Sequence, residues 1–106
     1  NSDYSAQVKL CHNDNIMKCV GRNLPKNSIL QYIKKSLSLN HPVMWTDDSQ
    51  KYDPVAIVGI GRDSHGKEYF VGKNSKGKNN QTKGMLYIPT KYVREHTAFV
   101  VVKRYL

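Results

Sequence analysis

Lysines dominate the segment of this chain whose chemistry is easiest to interpret. Lys73, Lys76, Lys78 and Lys83 fall in a stretch that contains no acidic residue, and Thr82 adds a hydroxyl group there. Cations grouped in this way can bind an anionic partner, although a solvated loop would have the same composition. The charge of the rest of the chain helps to decide between an anion-binding segment and a solvated loop.

The charge of the whole chain favours an anionic partner. The formal net charge is +9 and the pI is near 9.7. Residues 56–106 hold ten lysines and arginines against three acids, whereas residues 1–55 hold seven against five. This asymmetry predicts one positive face, and it suits a nucleic acid, an anionic surface or an acidic protein.

Four residues near the lysines could contribute to binding or catalysis. Tyr69 and Tyr87 flank the lysine stretch, and tyrosine rings can stack on bases. Arg62 opens a turn that also holds His65. The unperturbed pKa of histidine suits general acid–base catalysis, although an exposed turn residue without a catalytic role is the simpler interpretation of His65.

The sequence gives no sign of a thiol nucleophile or of a metal site. Cys11 and Cys19 are the only cysteines, so they form either a disulfide in an oxidising compartment or two separate thiols. Neither follows a Gly-rich turn at the start of a helix, where a thiolate would be favoured. The histidines show no metal-ligand spacing. We therefore predict that the chain uses no metal and no other cofactor.

One segment, residues 28–38, has helical spacing of its apolar residues. Ser28-x-x-Gln31 has the form of a capping box, and Lys34 and Lys35 are expected on the solvent side. We expect the helix to end before Pro42, because the residue preceding a proline avoids helical angles. The apolar residues that define the helix are Ile29, Leu30, Ile33 and Leu37.

Short apolar segments separated by Gly, Pro and Asn predict β-strands around this helix. Val55–Ile60 is apolar throughout, which is typical of a strand buried on both faces. A short helical or turn segment is expected around Tyr92. The predicted strands are Met17–Val20, Val43–Thr46, Val55–Ile60, Glu68–Val71, Met85–Ile88 and Ala98–Val102.

Together these elements predict an irregular polar arm over residues 1–16 and a single α+β domain over residues 17–106. We expect the helix to pack on a small, mostly antiparallel, barrel-like sheet of five to six strands. No apolar run approaches the roughly 20 residues that a membrane span needs, so we predict no membrane span. No signal peptide is visible, and the localisation stays open.

Several segments, in this order, resemble the C-terminal β-barrel half of papain-family cysteine proteases. LPKNSILQYIKKSLSLNHPV is similar to the family's helix and the Pro-Val strand after it. DPVAIVGIGRDSHGKEYFVGKNSKG resembles its hairpin around the catalytic histidine, and KGMLYIP and AFVVV resemble its closing strands. The resemblance covers about residues 17–102 and implies the same barrel-like fold.

The resemblance also implies that protease chemistry is absent. Asp53 stands at the position of the family's catalytic histidine, and an aspartate with a pKa of about 3.9, against about 6.5, is too weak a base for a thiol. Asn74 matches the orienting asparagine, whereas Lys76 replaces the tryptophan that shields it. The half that carries the nucleophile is not in this chain, so the chain alone cannot be an active cysteine protease.

In the family, the replaced positions project from neighbouring strand ends, next to the loop that here holds the lysines. An acid, an amide, a hydroxyl and several cations would suit a metal-independent ribonuclease, which needs a base, an acid and cations for the phosphorane charge. Alternatively, these are generic polar residues left after the loss of a protease site. The predicted catalytic residues are Asp53, Asn74, His65 and Thr82. The predicted nucleic-acid-binding residues are Lys73, Lys76, Lys78, Lys83, Arg62, Tyr69 and Tyr87.

The favoured hypothesis is a basic, toxin-like ribonuclease that acts on RNA such as tRNA and is delivered as part of a larger secreted protein. One alternative is a catalytically dead, papain-like interaction module, or pseudoprotease. Another is one chain of a processed two-chain cysteine protease. An inhibitory or activating protein partner is compatible with each hypothesis.

Overall fold

The fold is a mixed β-sheet with helices on one face. The computed structural model describes residues 5–12, 20–74 and 84–104, and this part of the chain forms a sheet of seven strands. The elements, in chain order, are β1 Ser5–His12, β2 Val20–Pro25, α1 Lys26–Ser38, β3 Val43–Asp47, β4 Val55–Arg62, β5 Glu68–Asn74, β6 Met85–Pro89, α2 Thr90–Glu95 and β7 Thr97–Arg104.

The strand order is β2-β1-β7-β3-β4-β5-β6, and every neighbouring pair is antiparallel except β1 and β7, which are parallel. Within the described residues the edge strands β2 and β6 do not pair with each other, so the sheet is open. The predicted α+β class is confirmed. The predicted barrel-like sheet of five to six strands is wrong. The resemblance of the chain to the C-terminal half of papain-family proteases stays a prediction.

The middle of the predicted N-terminal arm is also corrected, because residues 5–12 form β1 between β2 and β7. Ala6 and Val8 alternate with Gln7 and Lys9, and the two apolar side chains are buried. This period of two is short and lies among polar residues, so it gives little sequence signal. Most of the predicted strand Met17–Val20 lies outside the described residues; its last residue, Val20, opens β2.

The main helix was predicted with the correct end and a late start. It begins at Lys26, and Pro25 occupies the N-cap position with φ −61° and ψ 156° and no side-chain cap. The capping box at Ser28 is therefore wrong, because proline, with its fixed φ and missing N–H, suits a helix start without a side-chain acceptor. At the other end, Asn40 adopts a left-handed φ of 63° and its N–H donates to the Leu37 carbonyl at 2.9 Å.

The core lies between the sheet and the helices. The residues of α1 that face the sheet, Ile29 and Ile33, are fully buried. Trp45 of β3 is also fully buried, and its indole Nε1 donates to the Thr97 hydroxyl at 2.8 Å. The helical segment expected around Tyr92 is confirmed as α2. None of the described helices is long and apolar enough to cross a membrane.

The other face of the sheet is covered by no described element. This corrects the prediction that β4 is buried on both faces, because its burial alternates along the strand and Val58 is 39% exposed. The strand also contains a register shift between Ile57 and Gly59. Ile60, beyond that shift, is 42% exposed.

Candidate functional site

Two of the predicted catalytic residues lie at the same end of the sheet. Asn74 is paired with Val55, and Asp53 precedes Val55 by two residues, so the backbone brings positions 53 and 74 to one sheet end. Asp53 is exposed. Only the backbone of Asn74 is described. Residues Lys76, Lys78, Thr82 and Lys83 lie outside the described residues, so their predicted roles stay predictions.

His65 cannot share a site with Asp53 and Asn74. It lies in the turn between β4 and β5, where its N–H donates to Asp63 Oδ1 at 2.8 Å. Along a strand of this length, the turn is about 20 Å from the end that holds Asp53. Arg62 belongs to the same turn, because its guanidinium donates to the Gly66 carbonyl at 3.0 Å and lies 3.5 Å from Glu68. Neither residue reaches the predicted site.

Three of the predicted nucleic-acid-binding residues are brought together. Tyr69, Lys73 and Tyr87 lie on the face of β5 and β6 that points away from the helices, as their alternation with buried Phe70, Gly72 and Ile88 shows. The Tyr69 and Tyr87 ring centroids are 5.6 Å apart with an interplanar angle of 81°.

A polar cleft that the sequence did not reveal lies at the same end of the sheet as Asp53. Its volume is about 630 Å³, and we call it the His96 cleft. It is formed where the end of β3, the end of α2 and the start of α1 meet. The residues that line it are Ala6, Lys26, Asp48, Ser49, Arg94, Glu95, His96 and Thr97.

In the His96 cleft, one carboxylate is held between two cations. Glu95 accepts from Lys26 Nζ at 3.0 Å and forms a second, very short ion pair with Arg94. The hydrogen bond and charge of Lys26, with the charge of Arg94, lower the pKa of Glu95 below its usual value and outweigh its partial burial. Arg94 also donates from Nε to Asn27 Oδ1 at 2.7 Å, which fixes the guanidinium.

A histidine is held by a second carboxylate in the same cleft. His96 Nδ1 lies 3.2 Å from Asp48 Oδ1, and the Asp48 N–H donates to the His96 carbonyl at 2.9 Å. The His96 ring packs against Tyr92, with centroids 4.5 Å apart. A carboxylate at Nδ1 orients an imidazole and leaves Nε2 for proton transfer, which is the arrangement of many catalytic histidines.

Asp47 positions this cleft and takes no direct part in it. It is only 4% exposed, and burial alone would raise its pKa. Hydrogen bonds outweigh burial and lower that pKa: Oδ1 accepts from the Ser49 N–H and hydroxyl at 2.9 and 2.8 Å, and Oδ2 from the Tyr52 N–H and Tyr92 hydroxyl at 3.1 and 2.8 Å. These bonds tie the loop after β3 to α2.

Among the described residues, one group has the composition of a metal site. Donor atoms of Asp47, Asp48 and His96 lie within 4.8 Å of one another. Because the oxygens of Asp47 already accept four protein hydrogen bonds, we assign this carboxylate a structural role. That the chain works without a metal stays a prediction.

The cleft was missed because its residues are far apart in the sequence. Lys26 and Glu95 are separated by 69 positions, and Asp48 and His96 by 48. Two features of the sequence could have indicated the cleft. One is the pair of adjacent acids, Asp47 and Asp48, at the end of a predicted strand, and the other is the Glu95-His96 pair before the last predicted strand. Neither pair has the spacing of a recognisable motif. No protein-family model and no curated protein matches this chain.

Proposed function

We propose that the chain is a metal-independent ribonuclease whose catalytic site is the His96 cleft. The observation that carries this proposal is the pairing of an oriented histidine with a carboxylate between two cations. His96 is held at Nδ1 by Asp48, and Glu95 lies beside Lys26 and Arg94. The net charge of +9 suits a polyanionic substrate.

In this proposal the cleft performs an internal transesterification. Glu95 accepts the proton of the ribose 2′-hydroxyl, and the 2′-oxygen forms a bond to the adjacent phosphorus. The bond from phosphorus to the 5′-oxygen breaks, and His96 donates its Nε2 proton to that leaving oxygen. The products are a 2′,3′-cyclic phosphate and a 5′-hydroxyl.

The cations have two roles in this scheme. Lys26 and Arg94 stabilise the charge that develops on the phosphorane oxygens. In the free protein the same cations keep Glu95 ionised, which is the form a base requires. When a phosphate binds, it competes for these cations and leaves Glu95 a stronger base. Asp48 is a positioning residue that fixes the imidazole.

This proposal moves the chemistry away from the residues that the sequence favoured. Asp53 and the backbone of Asn74 lie at the same sheet end as the His96 cleft, on neighbouring strands. We propose that the RNA passes over these two positions on its way to the cleft. The toxin-like role and delivery within a larger protein remain part of the proposal.

The test is incubation of the purified chain with total RNA, tRNA and DNA, with and without EDTA. We expect RNA fragments with 2′,3′-cyclic phosphate ends that survive chelation, and intact DNA. His96→Ala and Glu95→Gln should each reduce cleavage by at least about 100-fold, the usual contribution of a general acid or base. His65→Ala is the matched control, because it removes a histidine from the opposite end of the sheet.

Full activity of His96→Ala would refute the assignment of the cleft. If no RNA is cleaved under any condition, the non-catalytic interaction module becomes the better hypothesis.

A further inference from the structure

The face of the sheet that points away from the helices has a continuous row of side chains across six strands. In register, the row is Lys9, Val101, Met44, Ala56, Lys73 and Met85. Cross-strand partners project to the same side of a sheet, so all six belong to one surface. We call this surface, together with Val58, Tyr69, Val71, Tyr87 and Phe99, the open sheet face.

One aromatic ring on the open sheet face, that of Tyr87, is largely exposed to solvent and is supported by a neighbouring ring. Tyr87 is 55% exposed and is paired with Val71. Its neighbour Tyr69 lies over Gly61, where a Cβ atom would come within 2.9 Å of the Tyr69 hydroxyl. The ring of Tyr69 makes a perpendicular contact with that of Tyr87, with the centroids 5.6 Å apart, which supports Tyr87 from one side.

The charge of this surface has one sign. Lys9 and Lys73 belong to it, and none of the described side chains on it is acidic. Lys9 Nζ lies 4.3 Å from the centroid of the Phe99 ring. The acidic side chains described above lie at the sheet end, in the β4–β5 turn or on the helix side. The open sheet face therefore combines one exposed tyrosine ring with cations.

We propose that the open sheet face binds single-stranded RNA, with one base stacked on Tyr87 and backbone phosphates at Lys73 and Lys9. Aromatic side chains on a sheet stack on unpaired bases whatever the sequence, and lysines follow the phosphates. A duplex is excluded as the ligand, because its bases are already stacked and paired. Lys9 and Lys73 are four strand intervals apart, about 19 Å, so one RNA strand would cross the sheet.

This inference rests on the proposed function, because RNA is the ligand in both. It adds that the substrate is single-stranded. Lys73 is adjacent to Asn74 at the sheet end that also holds the His96 cleft. A strand that leaves the open sheet face at Lys73 therefore arrives at the end of the sheet where cleavage is proposed. The surface holds the substrate while the cleft cuts it.

The test measures binding separately from cleavage. The probe is a fluorescein-labelled 2′-O-methyl oligoribonucleotide of about ten nucleotides, a length suited to one small domain. It lacks the nucleophilic hydroxyl, so the intact chain can be titrated and its fluorescence anisotropy followed. We expect Tyr87→Leu to raise the Kd roughly fivefold or more, because it removes the stacking of one base. Tyr87→Phe keeps the aromatic ring, so it should leave the Kd unchanged.

The lysine is tested through the salt dependence of the same titration. Lys73→Gln should reduce the slope of log affinity against log salt by about 0.7, the value for one phosphate contact with a single strand. Lys67→Gln is the matched control, because it removes the same charge from the exposed β4–β5 turn. Circular dichroism of each variant checks that the sheet is intact.

The outcomes separate the two proposals. If Tyr87→Leu binds RNA as the parent does, the open sheet face is not an RNA surface, and a protein partner becomes the better occupant. If an RNA duplex of the same length binds as tightly as the single strand, the proposed stacking of an unpaired base on Tyr87 is refuted. Cleavage that depends on His96 would still support the ribonuclease. Conversely, Tyr87-dependent binding without cleavage would support this surface and refute the proposed catalysis.

Discussion

At the scale of single residues, three neighbouring aspartates are distinguished by their hydrogen bonds. Asp47, Asp48 and Asp53 lie within a few positions of one another, yet only Asp47 is buried with four donors around it. The sequence predicts Asp53 as a catalytic residue because it stands at the position of the catalytic histidine in the family that the chain resembles, and in the structure Asp53 is exposed. The structure instead gives the neighbouring Asp47 and Asp48 the tasks of holding a loop and orienting a histidine.

This contrast predicts different stabilities for two matched substitutions. Asp47→Asn should lower the free energy of unfolding by about 1–3 kcal/mol, because an amide presents a donor to groups that already donate. Asp53→Asn, the same chemical change at an exposed site, should leave it within about 0.5 kcal/mol. Urea unfolding at neutral pH measures both values. Equal effects would show that the hydrogen bonds of Asp47 are not formed.

The same carboxylate gives stability a pH dependence. The folded-state pKa of Asp47 lies below its ordinary value of 3.8. Its contribution is therefore fully present above that value and is lost as the pH falls through the folded-state pKa. The pKa values of Glu68 and Glu95 are lowered as well, so the parent chain should lose stability on acidification, and Asp47→Asn should lose less than the parent. A parent and variant with the same acid dependence would contradict this.

At the scale of elements, the strands from β3 onwards and the helix could be predicted, because their patterns are local. Apolar periodicity located α1 to within two residues at its start, and Gly, Pro and Asn separated β3, β4, β5 and β6. The exact first residue of α1 and the strand β1 could not be predicted. At the start of α1 a proline stands at the N-cap, where a side-chain cap was expected. The strand β1 is stabilised by pairing with β7, which is far away in the sequence.

Contacts inside the β4–β5 hairpin predict which glycine can be replaced. A Cβ atom at Gly72 would lie 2.3 Å from Val55 Cγ1, and Val55 is fully buried. Gly72→Ala should therefore destabilise the fold by about 1–3 kcal/mol, as overpacking of a core does. At Gly59 the nearest atom would be 3.8 Å away, so Gly59→Ala is the control that should be tolerated. Thermal unfolding of both variants tests this, and a stable Gly72→Ala would contradict the packing.

At the scale of the whole molecule, the sheet depends on its N-terminal strand. β1 fills the position between β2 and β7, and its Ala6 and Val8 belong to the core. The candidate cleft is equally global, because its residues come from four elements (β1, α1, α2 and β7) and from the segments that follow β3 and α2. For this reason neither strand β1 nor the His96 cleft could be predicted from local sequence patterns, whereas the charge asymmetry could be read from the composition.

Deletion of residues 1–12 distinguishes a strand from an arm. If β1 is integral, the truncated chain should lose its cooperative unfolding transition, because β2 and one edge of β7 would be left without partners. Thermal denaturation followed by circular dichroism makes the measurement. A truncated chain that unfolds with the parent's midpoint would restore the interpretation of this segment as an irregular arm.

The central place of β7 also has a consequence for the order in which the fold can form. It follows every other described strand along the chain, and it is the strand that joins the β1–β2 pair to the β3–β6 part of the sheet. When the polypeptide emerges from a ribosome or is threaded through a pore from its N-terminal side, these two parts stay separate until β7 arrives. His96 arrives just before it. A partly translated or partly translocated chain would thus have neither a complete sheet nor an assembled cleft.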